Sequence, residues 1–323
     1  MGMRAAARVF TLSLTALAGL SGCAGPHYLT SRPLDLSGVK APTASVTRNV
    51  ILISIDGLRP DAIKKFEAPT LQRLMREGSY SLTARTIMPS STLPSHTSML
   101  SGEPPEQHHV TWNNVATAEQ DVIDFSTVFS VARANGYRTA AFFSKAKFSP
   151  LQRPGSLDYS QAPGGWWGKW ASARTVNDVL THLKTAKPNL LFVHLSDPDS
   201  AGHSSGWMSA AYGRAVQATD TALDQLLDAA DETYGEDNYS VVVTADHGGH
   251  GYGHGTSDPL DVTIPWIAWG RGVDDEGEME DVEINTFDTA PTVLWLLGVE
   301  KPEAWDGVPV VKAFHPLEPA PAD

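Results

Sequence analysis

The stretch from Ser240 to Gly255, SVVVTADHGGHGYGHG, holds the densest chemistry in the chain. Val241, Val242 and Val243 form a β-branched run that reads as a buried strand. Asp246 and His247 follow at its end, and glycine-spaced residues lead on to His254. Neighbours in a regular strand point to opposite faces, so this Asp–His pair reaches one ion only where the strand gives way to a turn. A carboxylate with imidazoles in a tight loop is an ordinary donor set for zinc. A polar loop capping a helix would use the same residues, and the motif alone does not separate the two.

Other groups of the same type recur upstream. Asp56 follows the apolar run Asn49 to Ile55, and Asp199 follows the run Leu190 to Leu195, with His203 four residues later. Taken singly, Asp56 reads as well as a turn or cap residue. Thr92 lies between Pro89 and Pro94 in a hydroxyl-rich segment, where Pro94 suits the first turn of a helix through Met99 and Leu100. Unpaired N–H groups at such a helix start favour an anion, although Ser91 or Thr92 could merely cap it. Lys145 and Lys147 follow a strand that ends at Phe143, and the plain reading is a solvated strand end. Three carboxylates brought together without cations would repel one another, so a cluster of Asp56, Asp199 and Asp246 argues for metal. With His203, His247 and His254 the donors suffice for two ions.

The elements that must position these groups alternate. The sequence predicts strands at 49–55, 137–143, 190–195, 240–243 and 262–269. Helices are predicted over 69–77, from Pro94 to Leu100, over 115–136 with Ser126 or Asp124 as cap, over 174–186 and over 289–297. Tyr212, Ala215, Val216, Thr219, Leu223, Leu226, Leu227 and Ala230 keep helical spacing and define a further, long amphipathic helix. The segment 148–170, with Trp166, Trp167 and Trp170, reads as a wall or lid loop. Such alternation implies an α/β fold: a mostly parallel central sheet with helices on both faces. Parallel strands share a carboxyl edge, so acids that end them converge there.

Composition and the N-terminus set bounds. With 323 residues and 41% hydrophobic content, the chain has material for a sizeable core. Arg4 and Arg8 precede an apolar run from Val9 to Leu20 that is short for a membrane span, then Leu20-Ser21-Gly22-Cys23. That stretch resembles a bacterial lipobox. We expect residues 1–22 to be a lipoprotein signal peptide, Cys23 the lipidated residue, 23–47 a tether, and 48–323 a single domain. The expected location is the bacterial cell envelope, lipid-anchored and facing the periplasm. Cys23 is the only cysteine, so disulfides, cysteine nucleophiles and cysteine-bound zinc are excluded from the domain. The formal charge is −13, which excludes a broad nucleic-acid surface.

In order along the chain, Asp56-Gly57, the segment Pro89 to His96, Asp199-x-x-x-His203, Asp246-His247-Gly248 and His254-Gly255 resemble the alkaline phosphatase superfamily. The nearest branch is that of the nucleotide pyrophosphatases/phosphodiesterases, over roughly residues 48–312. The resemblance implies an alkaline-phosphatase-like fold and two zinc ions, or other divalent metals. Asp56, Thr92, Asp246 and His247 would hold one ion; Asp199, His203 and His254 would hold the other. Thr92 would be the nucleophile, passing through a phosphothreonine, with Asn113 donating to a phosphoryl oxygen. Zinc ligation would bring a threonine hydroxyl's pKa toward usefulness.

Sulfatases share the fold but carry Cys or Ser, then x-Pro-x-Arg, where this chain reads Thr92-Leu93-Pro94-Ser95-His96. Lys145-Ala146-Lys147 resembles the paired cations of phosphomonoesterase and phosphonoacetate hydrolase branches, and two lysines suit a dianion. The expected activity is phosphodiesterase-like hydrolysis of a small phosphorylated substrate; the alternative is a monoesterase using Lys145 and Lys147. A non-catalytic metal-binding lipoprotein would need no nucleophile. His96, His108, His109, His182 and His194 are expected to be structural, or at most to stand behind the ligands, and His250 to stay off the metals. Asp288 is expected to cap a helix, and Asp197 to stand behind the ligands.

Overall fold

The computed structural model describes residues 45–114, 125–152, 155–165 and 168–315. The signal segment, Cys23, tether residues up to 44, Asp124, Trp166 and Trp167 lie outside the described residues.

Eight strands form one sheet: β1 (Val50–Ile55), β2 (Ser79–Arg85), β3 (Thr139–Phe142), β4 (Tyr159–Gln161), β5 (Leu190–Leu195), β6 (Ser240–Thr244), β7 (Thr263–Gly270) and β8 (Gly277–Glu278). Their order is β4-β3-β5-β1-β6-β7-β2-β8. The five strands from β4 to β6 are parallel to their neighbours. β7 runs antiparallel to both β6 and β2. Every residue of β1, β3, β5 and β6 is buried. Successive side chains face opposite ways, so total burial means both faces of the sheet are covered.

The helices are α1 (Pro60–Lys65), α2 (Pro69–Arg76), α3 (Thr92–Ser101), α4 (Pro105–His108), α5 (Val128–Ala134), α6 (Ser172–Leu183), α7 (Asp197–Ser205), α8 (Ala210–Tyr234), α9 (Pro259–Val262) and α10 (Thr289–Leu296). α8 packs on α1, α2, α6 and α7, whereas α10 packs on α3, α5 and β1. The mostly parallel α/β architecture expected from the alternation is the one observed.

Several local expectations are corrected. The helix forecast over 115–136 is helical only from Val128 among the described residues. Its cap is Thr127, in a reciprocal box with Ser130, while Ser126 accepts a hydrogen bond from Trp305 Nε1. The 148–170 segment is not a simple loop: Tyr159–Gln161 adds the edge strand β4 to β3. β2, whose SYSLTAR sequence is too polar to read as a buried strand, sits near the other edge with mixed burial. β7 reverses because the connection from β6 contains only the glycine loop and the single turn α9, which is no crossover helix.

Candidate active site

The sheet order dictates where the chemistry gathers. β3, β5, β1 and β6 lie side by side and run the same way, so the residues that follow them share one rim. Those residues are Lys145 after β3, Asp199 after β5, Asp56 after β1, and Asp246 with His247 after β6. Asp199 and His203 are not in a strand-end loop. They occupy successive turns of α7, a four-residue spacing that puts both on one face. The Asp199 N–H donates to the Asp56 carbonyl at 3.0 Å, which docks α7 on the end of β1.

Each carboxylate divides its two oxygens. Asp246 Oδ1 accepts from the N–H groups of Gly57 (3.1 Å) and His247 (3.0 Å). Asp56 Oδ2 accepts from His194 Nε2 at 2.9 Å and from Lys145 Nζ at 2.5 Å. Asp199 Oδ2 accepts from Lys145 Nζ at 2.6 Å. The other oxygens, Asp56 Oδ1, Asp199 Oδ1 and Asp246 Oδ2, are buried with no hydrogen-bond partner, as is His247 Nε2. Buried polar atoms are normally satisfied, and four exceptions at one place need a ligand to explain them.

The imidazoles are oriented in a consistent way. Nδ1–H donates to a backbone carbonyl in His247 (to Gly248, 2.8 Å), His254 (to Ser90, 2.8 Å) and His203 (to Tyr252, 3.0 Å). That fixes the tautomer and turns each Nε2 lone pair inward. His203 Nε2 and His254 Nε2 lie 3.1 Å apart, and two lone pairs at that distance repel unless a cation or proton lies between them. The donor set therefore suits metal, and its atoms fall into two groups. Asp56 Oδ1 and Asp246 Oδ2 lie 3.5 and 3.3 Å from His247 Nε2. Asp199 Oδ1 lies 3.2 and 3.7 Å from the Nε2 atoms of His203 and His254. His247 also comes within reach of the Asp199–His254 pair, its ring stacked 3.6 Å from that of His254. We assign His203 to that second group by its shorter distances.

Protonation follows this crowding. Burial works against ionising Asp56, but the Lys145 ammonium and His194 override it and hold the carboxyl well below its usual range. Burial, with the Asp56 charge added, pushes Asp246 well above it. Burial lowers His247 to about 3, with His254 contributing. The adjoining Asp199 carboxylate raises His203, against the effect of burial.

Thr92 is the first residue of α3 and is buried. Ser91 is the N-cap, without a side-chain capping bond. The Thr92 carbonyl accepts from His96 Nδ1 at 2.7 Å, and that same nitrogen lies 3.4 Å from Asp246 Oδ2. Asn113 Oδ1 accepts from Leu93 N–H and from Lys147 Nζ, each at 3.0 Å. Two donors on that oxygen leave the Asn113 amide N–H groups as donors beside the helix start. Burial, then Lys145, lowers Lys147 to about 8.

Other residues contribute from outside the ligand set. His194 takes the Ser144 N–H on Nδ1, so its Nε2–H is the proton donated to Asp56. The signal was a histidine inside the otherwise apolar LLFVHL strand, since a fully buried imidazole needs partners. Trp207 donates Nε1–H to the Gly57 carbonyl at 3.0 Å and packs edge-on to His203. A Cβ on Gly249 would lie 2.2 Å from the Trp207 ring, so only glycine fits there. His250 binds Asp261 at 2.7 Å, His182 stacks on Tyr159, and His108 bonds Ser98. Asp288 is the residue before α10 and holds the N–H groups of Asn285 and Val308. Asp197 serves α6, accepting from Ser172 N–H, rather than supporting the ligands.

The fold is that of the alkaline phosphatase superfamily. A superfamily protein from Vibrio parahaemolyticus superposes with a TM-score of 0.60 at 20% identity, covering 87% of this chain and 73% of that one. Murine ectonucleotide pyrophosphatase/phosphodiesterase 5, solved as an inactive threonine-to-alanine variant in complex with AMP, gives 0.71 at 15% identity. That match covers 83% of this chain and all of the murine chain.

Within the superfamily, the chain belongs to the type I phosphodiesterase/nucleotide pyrophosphatase family, whose model matches residues 50–257. Among curated proteins it is 26% identical over 330 aligned residues to GPI ethanolamine phosphate transferase 1 of Yarrowia lipolytica. That alignment covers 83% of this chain and 34% of the relative, so the chain spans about a third of its length.

Proposed function

We propose that the chain is a two-metal phosphoric ester hydrolase, phosphodiesterase-like, acting through Thr92 on a small phosphorylated substrate. The carrying observation is the set of buried, partnerless donor atoms that the fold leaves beside the helix beginning at Thr92. Asp56, Asp246, His247 and the Thr92 hydroxyl would hold one zinc or other divalent ion; Asp199, His203 and His254 would hold the other. Bound there, the ions would lower the pKa of the threonine hydroxyl and stabilise the leaving oxygen.

The Thr92 hydroxyl attacks phosphorus, breaks the bond to the leaving group and carries the phosphoryl group as a phosphothreonine. Water then takes the phosphoryl group and restores the hydroxyl. The Thr92 N–H at the start of α3 and the Asn113 amide bind the phosphoryl oxygens. Lys147, held against Asn113, adds positive charge at the same oxygens. In the murine neighbour the inactivating change is of a threonine, the residue type proposed here as nucleophile.

A second reading, monoester hydrolysis, is favoured by that place of Lys147, since a further cation suits a dianion. The Yarrowia relative is named a transferase, and the same phosphothreonine would serve transfer if an alcohol replaced water. The proposed location is the periplasmic side of a bacterial envelope membrane, with Cys23 as lipid anchor; Leu20-Ser21-Gly22-Cys23 supports it.

The test is hydrolysis of nitrophenyl phosphate monoester and diester, with and without chelator, and product analysis with added ethanolamine. Chelator-sensitive diester turnover that releases nitrophenol and leaves the phosphomonoester supports the proposal. Turnover that chelator leaves unchanged, or none at all in zinc-loaded protein, rejects it.

A further inference from the structure

The Lys-x-Lys segment does not act as a pair. Lys147 reaches Asn113, beside Thr92, whereas Lys145 is committed elsewhere. Lys145 is buried, and its Nζ lies 2.5 Å from Asp56 Oδ2 and 2.6 Å from Asp199 Oδ2. It projects from the end of β3 past β5 to the end of β1, joining three neighbouring strand ends. The two oxygens it takes are not the partnerless ones: Asp56 Oδ1 and Asp199 Oδ1 remain free. The ammonium is therefore compatible with cations on both sides.

We propose that Lys145 is a positioning residue of the metal centre, an internal cation that ties Asp56 to Asp199 and turns one oxygen of each toward its metal. The idea rests on the two-cation reading above. Asp56 and Asp199 are assigned to different cations, so the tie sets the two half-sites relative to each other. It also keeps two buried carboxylates together before any metal arrives. Removing one partner of a buried ion pair is strongly destabilising, because the other charge is left uncompensated. Bound zinc would supply that compensation.

The experiment compares melting of chelator-treated and zinc-loaded wild type, Lys145→Met, Lys147→Met and the double variant Lys145→Met/Asp199→Asn, with zinc uptake followed by calorimetry. Metal-free Lys145→Met is expected to melt roughly 6–15 °C below wild type, and zinc to close most of that gap. Lys147→Met should follow wild type. The double variant should recover most of the loss without metal, because it removes the uncompensated charge; simple loss of packing would give no recovery. Metal-free Lys145→Met melting within about 2 °C of wild type overturns the proposal. So does a double variant no more stable than the single one, a readout that holds even if the single variant folds only with zinc. Wild type that takes up no zinc would instead reject the two-cation reading, while the metal-free comparison would still decide whether Lys145 ties the carboxylates.

Discussion

Replacing Gly57 by alanine tests how tightly the rim is built. Gly57 follows Asp56, donates its N–H to Asp246 Oδ1, and gives its carbonyl to Trp207 Nε1 and the Tyr212 hydroxyl. Its φ of +71° lies in the left-handed region, where a side chain costs roughly 1–2 kcal/mol. A Cβ there would meet Asp199 Cα and Cβ at 3.0 Å, so α7 must shift by a few tenths of an ångström. Adding this contact to the backbone cost gives a destabilisation of about 2–3 kcal/mol, or about 4–12 °C in Tm for a chain of this size. The shift also moves Asp199 relative to Asp56, and a misplacement near 1 Å can cost about 100-fold in rate. We expect kcat/KM for a nitrophenyl diester, at saturating zinc, to fall by roughly tenfold or more. Gly57→Ala with Tm within about 1 °C and kcat/KM within about twofold of wild type would refute this account of the rim.

Three further outcomes follow from individual groups. Thr92→Ala should lower turnover by about 1,000-fold or more while zinc stoichiometry, measured by calorimetry, stays at the wild-type value. Lys147, lowered to about 8 by burial and Lys145, carries its charge below that pH and loses it above. Monoester KM should therefore rise as pH passes about 8, and Lys147→Met should flatten that limb of the pH profile. Glu103 is raised from 4.5 to about 7 by burial and the nearby Asp306. A raised carboxyl contributes stability that is complete below pH 4.5 and is lost as pH climbs through about 7. Glu103→Gln should thus melt above wild type at pH 8, by on the order of 1 kcal/mol after allowance for solvent screening, and lose that advantage at pH 5.

The sequence reading reached furthest where one physical rule governed the residue. Val50–Ile55 and Ser240–Thr244 are apolar on both faces, so they had to be central strands, and Asp56 and Asp246 had to stand at their ends. Asp199 was legible as a neighbour of the rim but not as helical, because Asp-Pro-Asp-Ser-Ala-Gly-His lacks an apolar stripe. Residues acting through tertiary contacts escaped. Lys145 meets Asp199 from 54 positions away, and His194 meets Asp56 from 138. No local pattern encodes such contacts. The reversed direction of β7 and the edge strand β4 escaped for a related reason, since a strand's pairing depends on packing against neighbours distant in sequence.

The central claim concerns where cations sit, and anomalous diffraction at the zinc edge from crystals of the zinc-loaded protein addresses it most directly. The account predicts two peaks. One lies among Asp56 Oδ1, Asp246 Oδ2, His247 Nε2 and the Thr92 hydroxyl; the other lies among Asp199 Oδ1, His203 Nε2 and His254 Nε2. A map with no peak at this rim, or with zinc only at sites remote from Thr92, would contradict it.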